Sequence, residues 1–202
     1  MSVTFATKTW KGDIAQMLMG GFTKKWQAID YPFDSVNMVV NNGLPFEAFP
    51  GADETIFAER ILDAFGIDAR NVYADGELAA VLTCHSEYLC FVQGDVITTG
   101  GDWVTPGIEI LEREPDTWVV SPASDVNTWH DITGHDEYMS DQAFLIRTAD
   151  FIDRAVYEVE GTDYDYPSYG GESFEHMVGK YLKLHHKKRC ILTEFYALHP
   201  AY

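Results

Sequence analysis

A run of five consecutive apolar residues, Tyr88-Leu89-Cys90-Phe91-Val92, constrains the fold of this chain more than any other feature. Successive side chains of a β-strand point to opposite faces of the sheet, so an uninterrupted apolar strand must be covered on both faces. Such strands are typical of the centre of a parallel sheet in an α/β protein. The run breaks at Gln93-Gly94-Asp95, a polar turn sequence. The sequence therefore predicts a central strand whose carboxyl end is polar.

The rest of the chain alternates short β-rich runs with segments in which apolar residues recur at helical spacing. This alternation, without repeats or low-complexity tracts, predicts an α/β fold in a single domain over residues 1–202. The segment 78–83 fits either a strand or part of a helix. The predicted strands are 3–7, 37–40, 88–92, 118–120, 143–146 and 190–192, and the predicted helices are 13–28, 57–65, 102–113 and the segment from 174 onward.

The charge and the apolar segments exclude several classes of partner. A formal net charge of -18 on 202 residues disfavours direct binding of nucleic acid, which requires clustered Lys and Arg. No apolar run approaches the roughly 18 residues of a membrane-spanning helix, and the first ten residues lack the pattern of a secretory signal. Three cysteines without a pairing pattern favour reduced thiols. We therefore expect a cytoplasmic protein without a transmembrane segment.

Small, polar or acidic residues follow several of the predicted strands. In open α/β sheets, ligands bind beyond the carboxyl ends of the strands, so these positions predict a nucleotide pocket. For Asp95 the alternative is an ordinary turn residue without a ligand. The residues that we predict to line this pocket are Thr7, Lys8, Asn41, Gln93 and Asp95.

Six segments, in this order, resemble the GT-A glycosyltransferases over nearly the whole chain. The resemblance implies a Rossmann-like, mixed and mostly parallel sheet flanked by helices. The segments are VTFATKTWKGDIAQML, VNMVVNNG, EYLCFVQGDV, GGDWVTPGIEILEREPDTWVVSPAS, YMSDQAFLIRTADF and GGESFEHMVGKYL.

The resemblance implies a divalent metal ion. In these enzymes Mn²⁺ or Mg²⁺ bridges the carboxylates of a DXD motif and the diphosphate of the donor, because hard cations prefer oxygen ligands. Here Gln93 occupies the position of the first acid, so Asp95 is the remaining carboxylate of the motif. One carboxylate can hold a metal that takes its other ligands from phosphate and water. His199, near the carboxyl terminus, is the second candidate ligand for metal or phosphate.

The same resemblance implies roles for charged residues late in the chain. Glu172 opens the last predicted helix and would be the general base, and Asp141 is the second candidate for the base or for an acceptor contact. Lys187 and Arg189, in the densest basic run, would bind the anionic donor. The alternative for Glu172, Lys187 and Arg189 is a structural one, since acids at helix starts and cations at helix ends are stabilised by the helix dipole without any ligand.

Together these features predict a glycosyltransferase that moves a sugar from a nucleoside-diphosphate sugar to a carbohydrate or another hydroxyl acceptor. A carboxylate base implies inversion at the sugar carbon. Two alternatives remain open. A nucleotidyltransferase would carry a glycine-rich basic loop after the first strand, whereas ATKTWKGD has one glycine. A non-catalytic relative that binds a sugar or a partner is compatible with Gln93 in place of an acid.

Overall fold

One sheet of eight strands organises the residues that the computed structural model describes, which are 1–9, 12–41, 47–67, 74–124, 142–152 and 174–198. The strand order is β3-β2-β1-β4-β7-β6-β8-β5. The first four strands of this order run parallel, as do β6 and β8, whereas β7 and β5 run antiparallel to their neighbours. The predicted mixed, mostly parallel sheet is confirmed. The strands are β1 (Val3–Thr9), β2 (Ser35–Val40), β3 (Glu54–Phe57), β4 (Tyr88–Val92), β5 (Ile97–Thr99), β6 (Thr117–Ser124), β7 (Ala143–Arg147) and β8 (Lys188–Leu198).

Helices cover both faces of the sheet. Helices α3, α4 and α6 pack on one face, and the α1–α2 segment and α5 pack on the other, so the core is divided into two apolar layers. None of the described helices has the length and apolar character needed to cross a membrane. The helical segments are α1 (Ile14–Gln16), a π-helical turn (Met17–Gly21), α2 (Phe22–Gln27), α3 (Ala58–Ala64), α4 (Asp75–Thr83), α5 (Val104–Arg113), a 3₁₀ turn (Thr148–Asp150) and α6 (Phe174–Leu184).

Strand β4 is completely buried between β1 and β7, as its apolar sequence predicts. Leu89 and Phe91 belong to the layer under α4 and α6, while Cys90 and Val92 belong to the layer under α5. The Phe91 ring stacks on Phe144 of β7 with the ring centroids 5.2 Å apart. Burial on both faces makes β4 the rigid element from which the turn at residues 93–96 projects.

The structure differs from the predicted elements at several points. The helix predicted over 13–28 is broken near Gly20, whose φ of 98° is not helical. Segment 78–83 is part of α4, where the side chains from Leu78 to Val81 are all buried between the sheet and the neighbouring helices. Phe57, which we predicted as the first helical residue, is the last residue of β3. Strands β3 and β5, with four and three residues, are too short for a periodic signal.

Strand β6 continues through Pro122, where the sequence predicts its end. The strand pairs with β7 only at Val119 and Val120, and beyond them it pairs with β8 alone. Proline is tolerated where one edge of a strand carries no ladder hydrogen bond. An irregularity in the β6–β8 register follows directly after Pro122.

Candidate functional site

Polar residues cluster where the adjacent parallel strands β1, β2 and β4 end. The register pairs Thr9 with Val40 and Thr7 with Val92, so the ends of the three strands lie side by side. Asn41 and Gln93 are the first residues after β2 and β4. The first turn of α4 packs against this edge, since its glycine and glutamate contact Lys8 of β1 and the residues that follow β2 and β4. This cluster is the candidate functional site.

A buried ion pair forms the floor of the site. Lys8 Nζ of β1 lies 2.5 Å from Glu77 Oε1 of α4, and the two side chains are 13% and 0% exposed. Gln93 Nε2 donates a hydrogen bond of 3.4 Å to the same glutamate oxygen. The pair therefore links the carboxyl ends of β1 and β4 to the start of α4.

Gly76 allows α4 to approach the strand ends. A Cβ at this position would lie 3.0 Å from Lys8 Cδ and 3.1 Å from Asn41 Oδ1. Asn41 is itself buried, and its backbone N–H donates to the carbonyl oxygen of Thr9 over 2.9 Å. The lysine, the asparagine and the helix start are thus packed into one rigid unit.

The residues after β4 form a turn that a buried lysine holds from below. The Val96 N–H donates to the Gln93 carbonyl oxygen over 3.1 Å, and half-buried Asp95 lies within this turn. Lys25 Nζ of α2 donates to the Gln93 carbonyl oxygen over 3.0 Å and also to that of Val96. Burial lowers the pKa of Lys25 to about 8, against the opposing effect of the negative charges of Asp95 and Asp13. The Lys25 ammonium is therefore mostly protonated at pH 7.

Gly94 brings this turn against the end of β1. A Cβ at Gly94 would collide with the Lys8 carbonyl oxygen and would lie 2.7 Å from Asp13 Oδ2. The other oxygen of Asp13 accepts a hydrogen bond of 2.7 Å from Thr9 Oγ1. The turn is thereby fixed to the segment that connects β1 with α1.

We expect Gly94→Ala to lower the free energy of unfolding by about 2 kcal/mol, since the added carbon meets backbone, which cannot move aside cheaply. Urea unfolding of the variant and the wild type measures the difference. Gly76→Ala is the matched control, because its added carbon would meet side-chain atoms at 3.0 Å or more, and it should cost less. An equal or smaller loss for Gly94→Ala would show that the turn is not tightly packed on β1.

The structure brings together four of the residues predicted to line the pocket, namely Lys8, Asn41, Gln93 and Asp95. Thr7 lies in the same strand as Lys8, but successive residues of a strand point to opposite faces. The Thr7 side chain is fully buried on the face opposite that of the Lys8–Glu77 pair. Three further candidates, Glu172, Asp141 and His199, lie outside the described residues.

Lys187 and Arg189 lie at the opposite edge of the sheet, which corrects their predicted place beside the donor. The register pairs Arg189 with Val119 near the amino end of β6, and β8 runs parallel to β6. Lys187 Nζ donates to Asp116 Oδ1 over 2.9 Å and lies 5.3 Å from the centroid of the Trp118 ring. Both cations therefore lie at the start of β8, and the length of the strands separates them from the cluster.

Sequence reasoning missed the place of three residues in the site, although two of them left a signal. Glu77 directly precedes the apolar segment 78–82, an unusual position for an exposed acid. Lys25 lies three residues after Phe22 and four before Ile29, on the apolar stripe of its helix. Asp13 is predicted only as a helix start, whereas its carboxylate also packs against the turn at Gly94.

The fold of the described residues is that of the GT-A nucleotide-diphospho-sugar transferases, as alignment with solved structures shows. A crystal structure of glucosyl-3-phosphoglycerate synthase from Mycobacterium tuberculosis, with Mn²⁺, uridine diphosphate and phosphoglyceric acid, is similar to this chain. The two align with a TM-score of 0.63 at 8% identity, over 100% of this chain and 71% of that one. Mannosyl-3-phosphoglycerate synthase from Rubrobacter xylanophilus aligns with a TM-score of 0.59 at 10% identity, over 100% and 67%.

The likeness is one of structure. No protein-family model and no curated protein matches the amino-acid sequence significantly. At identities of 8–10%, the structural match establishes the fold.

Proposed function

We propose that this protein is a glycosyltransferase that moves a sugar from a nucleoside-diphosphate sugar to a hydroxyl acceptor. The observation that carries the proposal is the cluster of Lys8, Glu77, Asn41, Gln93 and Asp95 at the carboxyl ends of β1, β2 and β4. In an open α/β sheet this edge is where nucleotides bind. The similar structure from Mycobacterium tuberculosis was obtained with uridine diphosphate, which supports the same class of donor here.

The proposal divides the site between the two parts of the donor. Lys8 and Asn41, at the ends of β1 and β2, would contact the nucleoside, because an ammonium and an amide offer the donors and the acceptor that a base and a ribose require. Gln93 and Asp95, after β4, would lie at the diphosphate. The Lys8–Glu77 pair fixes the floor, so the donor meets a preformed surface.

The site fits a divalent cation that is shared with the donor. Within the described residues, no three His, Cys, Asp or Glu side chains lie together as a complete metal cage. Asp95 nevertheless offers one hard carboxylate at the rim, and Mg²⁺ commonly binds through one or two carboxylates together with substrate phosphates. We propose that Asp95 would hold Mn²⁺ or Mg²⁺, with His199 as a further candidate ligand. When bound, the ion would offset the negative charge that develops on the leaving diphosphate.

Transfer also requires a base for the acceptor. We propose that Glu172 removes the proton of the attacking hydroxyl, with Asp141 as the second candidate. The hydroxyl oxygen forms a bond to the anomeric carbon of the sugar while the bond from that carbon to the diphosphate breaks. The proton remains on the carboxylate and the nucleoside diphosphate leaves. Attack from the side opposite the leaving group inverts the configuration at this carbon.

A thermal-shift screen of nucleoside diphosphates and nucleotide sugars, with and without Mn²⁺, tests the proposal. A ligand at about 100 times its dissociation constant should stabilise the folded protein by roughly 2.7 kcal/mol. For a chain of this size this corresponds to an increase in melting temperature of roughly 5–10 °C. If no nucleotide changes the melting temperature with or without Mn²⁺, the proposed donor site is refuted.

In the same screen, Asp95→Asn tests how much of the stabilisation by nucleotides depends on Mn²⁺ at Asp95. We expect the part of the stabilisation that depends on Mn²⁺ to decrease, because the amide that replaces the carboxylate is a weaker ligand for a hard cation. Asp53→Asn serves as the matched control, since that carboxylate directly precedes β3, away from the cluster, and accepts a hydrogen bond from Val36 N–H of β2. An unchanged Mn²⁺ response of Asp95→Asn would remove Asp95 from the site.

A second candidate function is binding of the donor without transfer. Gln93 favours this candidate, because the position of the first acid of the metal motif carries an uncharged amide. Stabilisation by a nucleotide sugar, without release of nucleoside diphosphate during long incubation with acceptors, would favour the binding protein over the enzyme.

We also propose a reducing, cytoplasmic setting for this activity. All three cysteines are free, and the side chains of Cys84 and Cys90 are buried. Free thiols are typical of proteins from reducing compartments.

A further inference from the structure

We infer that Lys25 is a positioning residue whose fixed positive charge sets the balance between cation binding and diphosphate binding at Asp95. This inference rests on the proposed donor site, which it deepens. Lys25 is 5% exposed and comes from α2, a helix that contributes none of the residues proposed to touch the donor. It acts from beneath the site, through the turn after β4.

The first part of the argument is geometric. Lys25 Nζ donates hydrogen bonds to the carbonyl oxygens of both Gln93 and Val96, the two ends of the turn that contains Asp95. These two carbonyl oxygens therefore point inward, toward the ammonium. The Asp95 carboxylate lies in the turn between them, close enough for its negative charge to act on the Lys25 ammonium. The lysine thus fixes the turn on both sides of Asp95 and places a positive charge beneath it.

The second part concerns charge. Among the described residues, five ionisable side chains are linked in the cluster: Lys8 and Lys25 are positive, and Asp13, Glu77 and Asp95 are negative. Two positive and three negative charges give a net charge of -1, which a divalent cation changes to +1. Without the Lys25 charge, the net charge of the cluster is -2 before the cation binds and 0 afterwards. Loss of this charge therefore favours the cation and disfavours the anionic diphosphate.

Lys25→Gln tests the inference, because the amide can still donate to a carbonyl while the charge is removed. At pH 7 we expect Mn²⁺ alone, titrated by electron paramagnetic resonance of the free ion, to bind roughly three- to tenfold more tightly than to the wild type. We expect UDP, titrated calorimetrically at saturating Mn²⁺, to bind roughly three- to tenfold more weakly. A loss of local structure alone would weaken the binding of both ligands. Opposite changes in the affinities for Mn²⁺ and UDP therefore identify the effect of the charge.

Two variants complete the experiment. Lys25→Arg keeps the charge and should restore both affinities toward those of the wild type. Lys24→Gln removes the same formal charge from an exposed neighbour on α2 and should change neither affinity, because solvent screens it. If Lys25→Gln does not fold, Lys25→Met is measured in its place.

The outcomes separate this inference from the proposed function. If the wild type binds UDP with Mn²⁺ and Lys25→Gln changes both affinities in the same direction, or neither, the role of Lys25 is refuted and the donor site stands. If the wild type binds neither UDP nor any nucleoside diphosphate of the thermal-shift screen, the proposed function fails, and the inference fails with it.

Discussion

Glu77→Gln is expected to lower the free energy of unfolding by about 3 kcal/mol, the lower end of the cost of breaking a buried ion pair from one side. The carboxylate is fully buried and lies 2.5 Å from the Lys8 ammonium, which is 13% exposed. Removal of the negative charge leaves the ammonium largely desolvated without its counter-charge. The amide oxygen can still accept the hydrogen bond from Gln93 Nε2, so the expected cost comes from the lost charge.

Urea unfolding of a double-mutant cycle measures this effect. Lys8→Met combined with Glu77→Gln should recover most of the lost stability, because replacement of a whole buried pair by uncharged groups costs far less than loss of one partner. The double variant should nonetheless bind nucleoside diphosphates weakly, since Lys8 belongs to the proposed donor surface. Additive losses in the cycle would show that the two side chains do not stabilise each other.

Glu172→Gln is expected to reduce sugar transfer by about a thousandfold, within the range of the contribution of a general base. The amide keeps the size of the side chain but cannot accept the proton of the acceptor hydroxyl. Donor binding should remain, so the thermal shift with nucleoside diphosphate should equal that of the wild type. The rate of nucleoside-diphosphate release in the presence of acceptor measures the loss.

Asp141→Asn is the matched comparison, because it removes the other candidate carboxylate. A small effect of Asp141→Asn and a large one of Glu172→Gln would assign the base to Glu172. Full activity of Glu172→Gln together with loss of activity in Asp141→Asn would instead make Asp141 the base.

The elements with a strong local signal were predictable. The apolar run at Tyr88–Val92 predicted a central strand with its correct bounds, because burial on both faces demands an uninterrupted apolar sequence. Helix α5 and the helix from Phe174 onward were predicted from apolar residues at helical spacing. Strands β3 and β5 were missed, since a strand of three or four residues shows no period, and partners distant in the sequence stabilise it.

Four of the seven polar residues that form the candidate site were also predictable. Lys8, Asn41, Gln93 and Asp95 follow from the rule that polar residues after parallel strands meet at one edge of the sheet. Lys187 and Arg189 do not meet this rule, because they lie at the amino end of β8 and not after the carboxyl end of a strand. Position relative to the direction of a strand, and not charge density, decided which cations approach the cluster.

The sequence by itself determined the α/β class, the central strand and the polar turn in which Asp95 lies, since burial and turn formation depend on neighbouring residues. Only the tertiary structure decided that Glu77 and Lys25 form hydrogen bonds with Gln93 at the start of this turn. Glu77 lies 69 residues from Lys8, and Lys25 lies 68 residues from Gln93. Charged residues so far apart in sequence meet only when helices pack on the sheet, and burial of each charge requires the partner that this packing supplies.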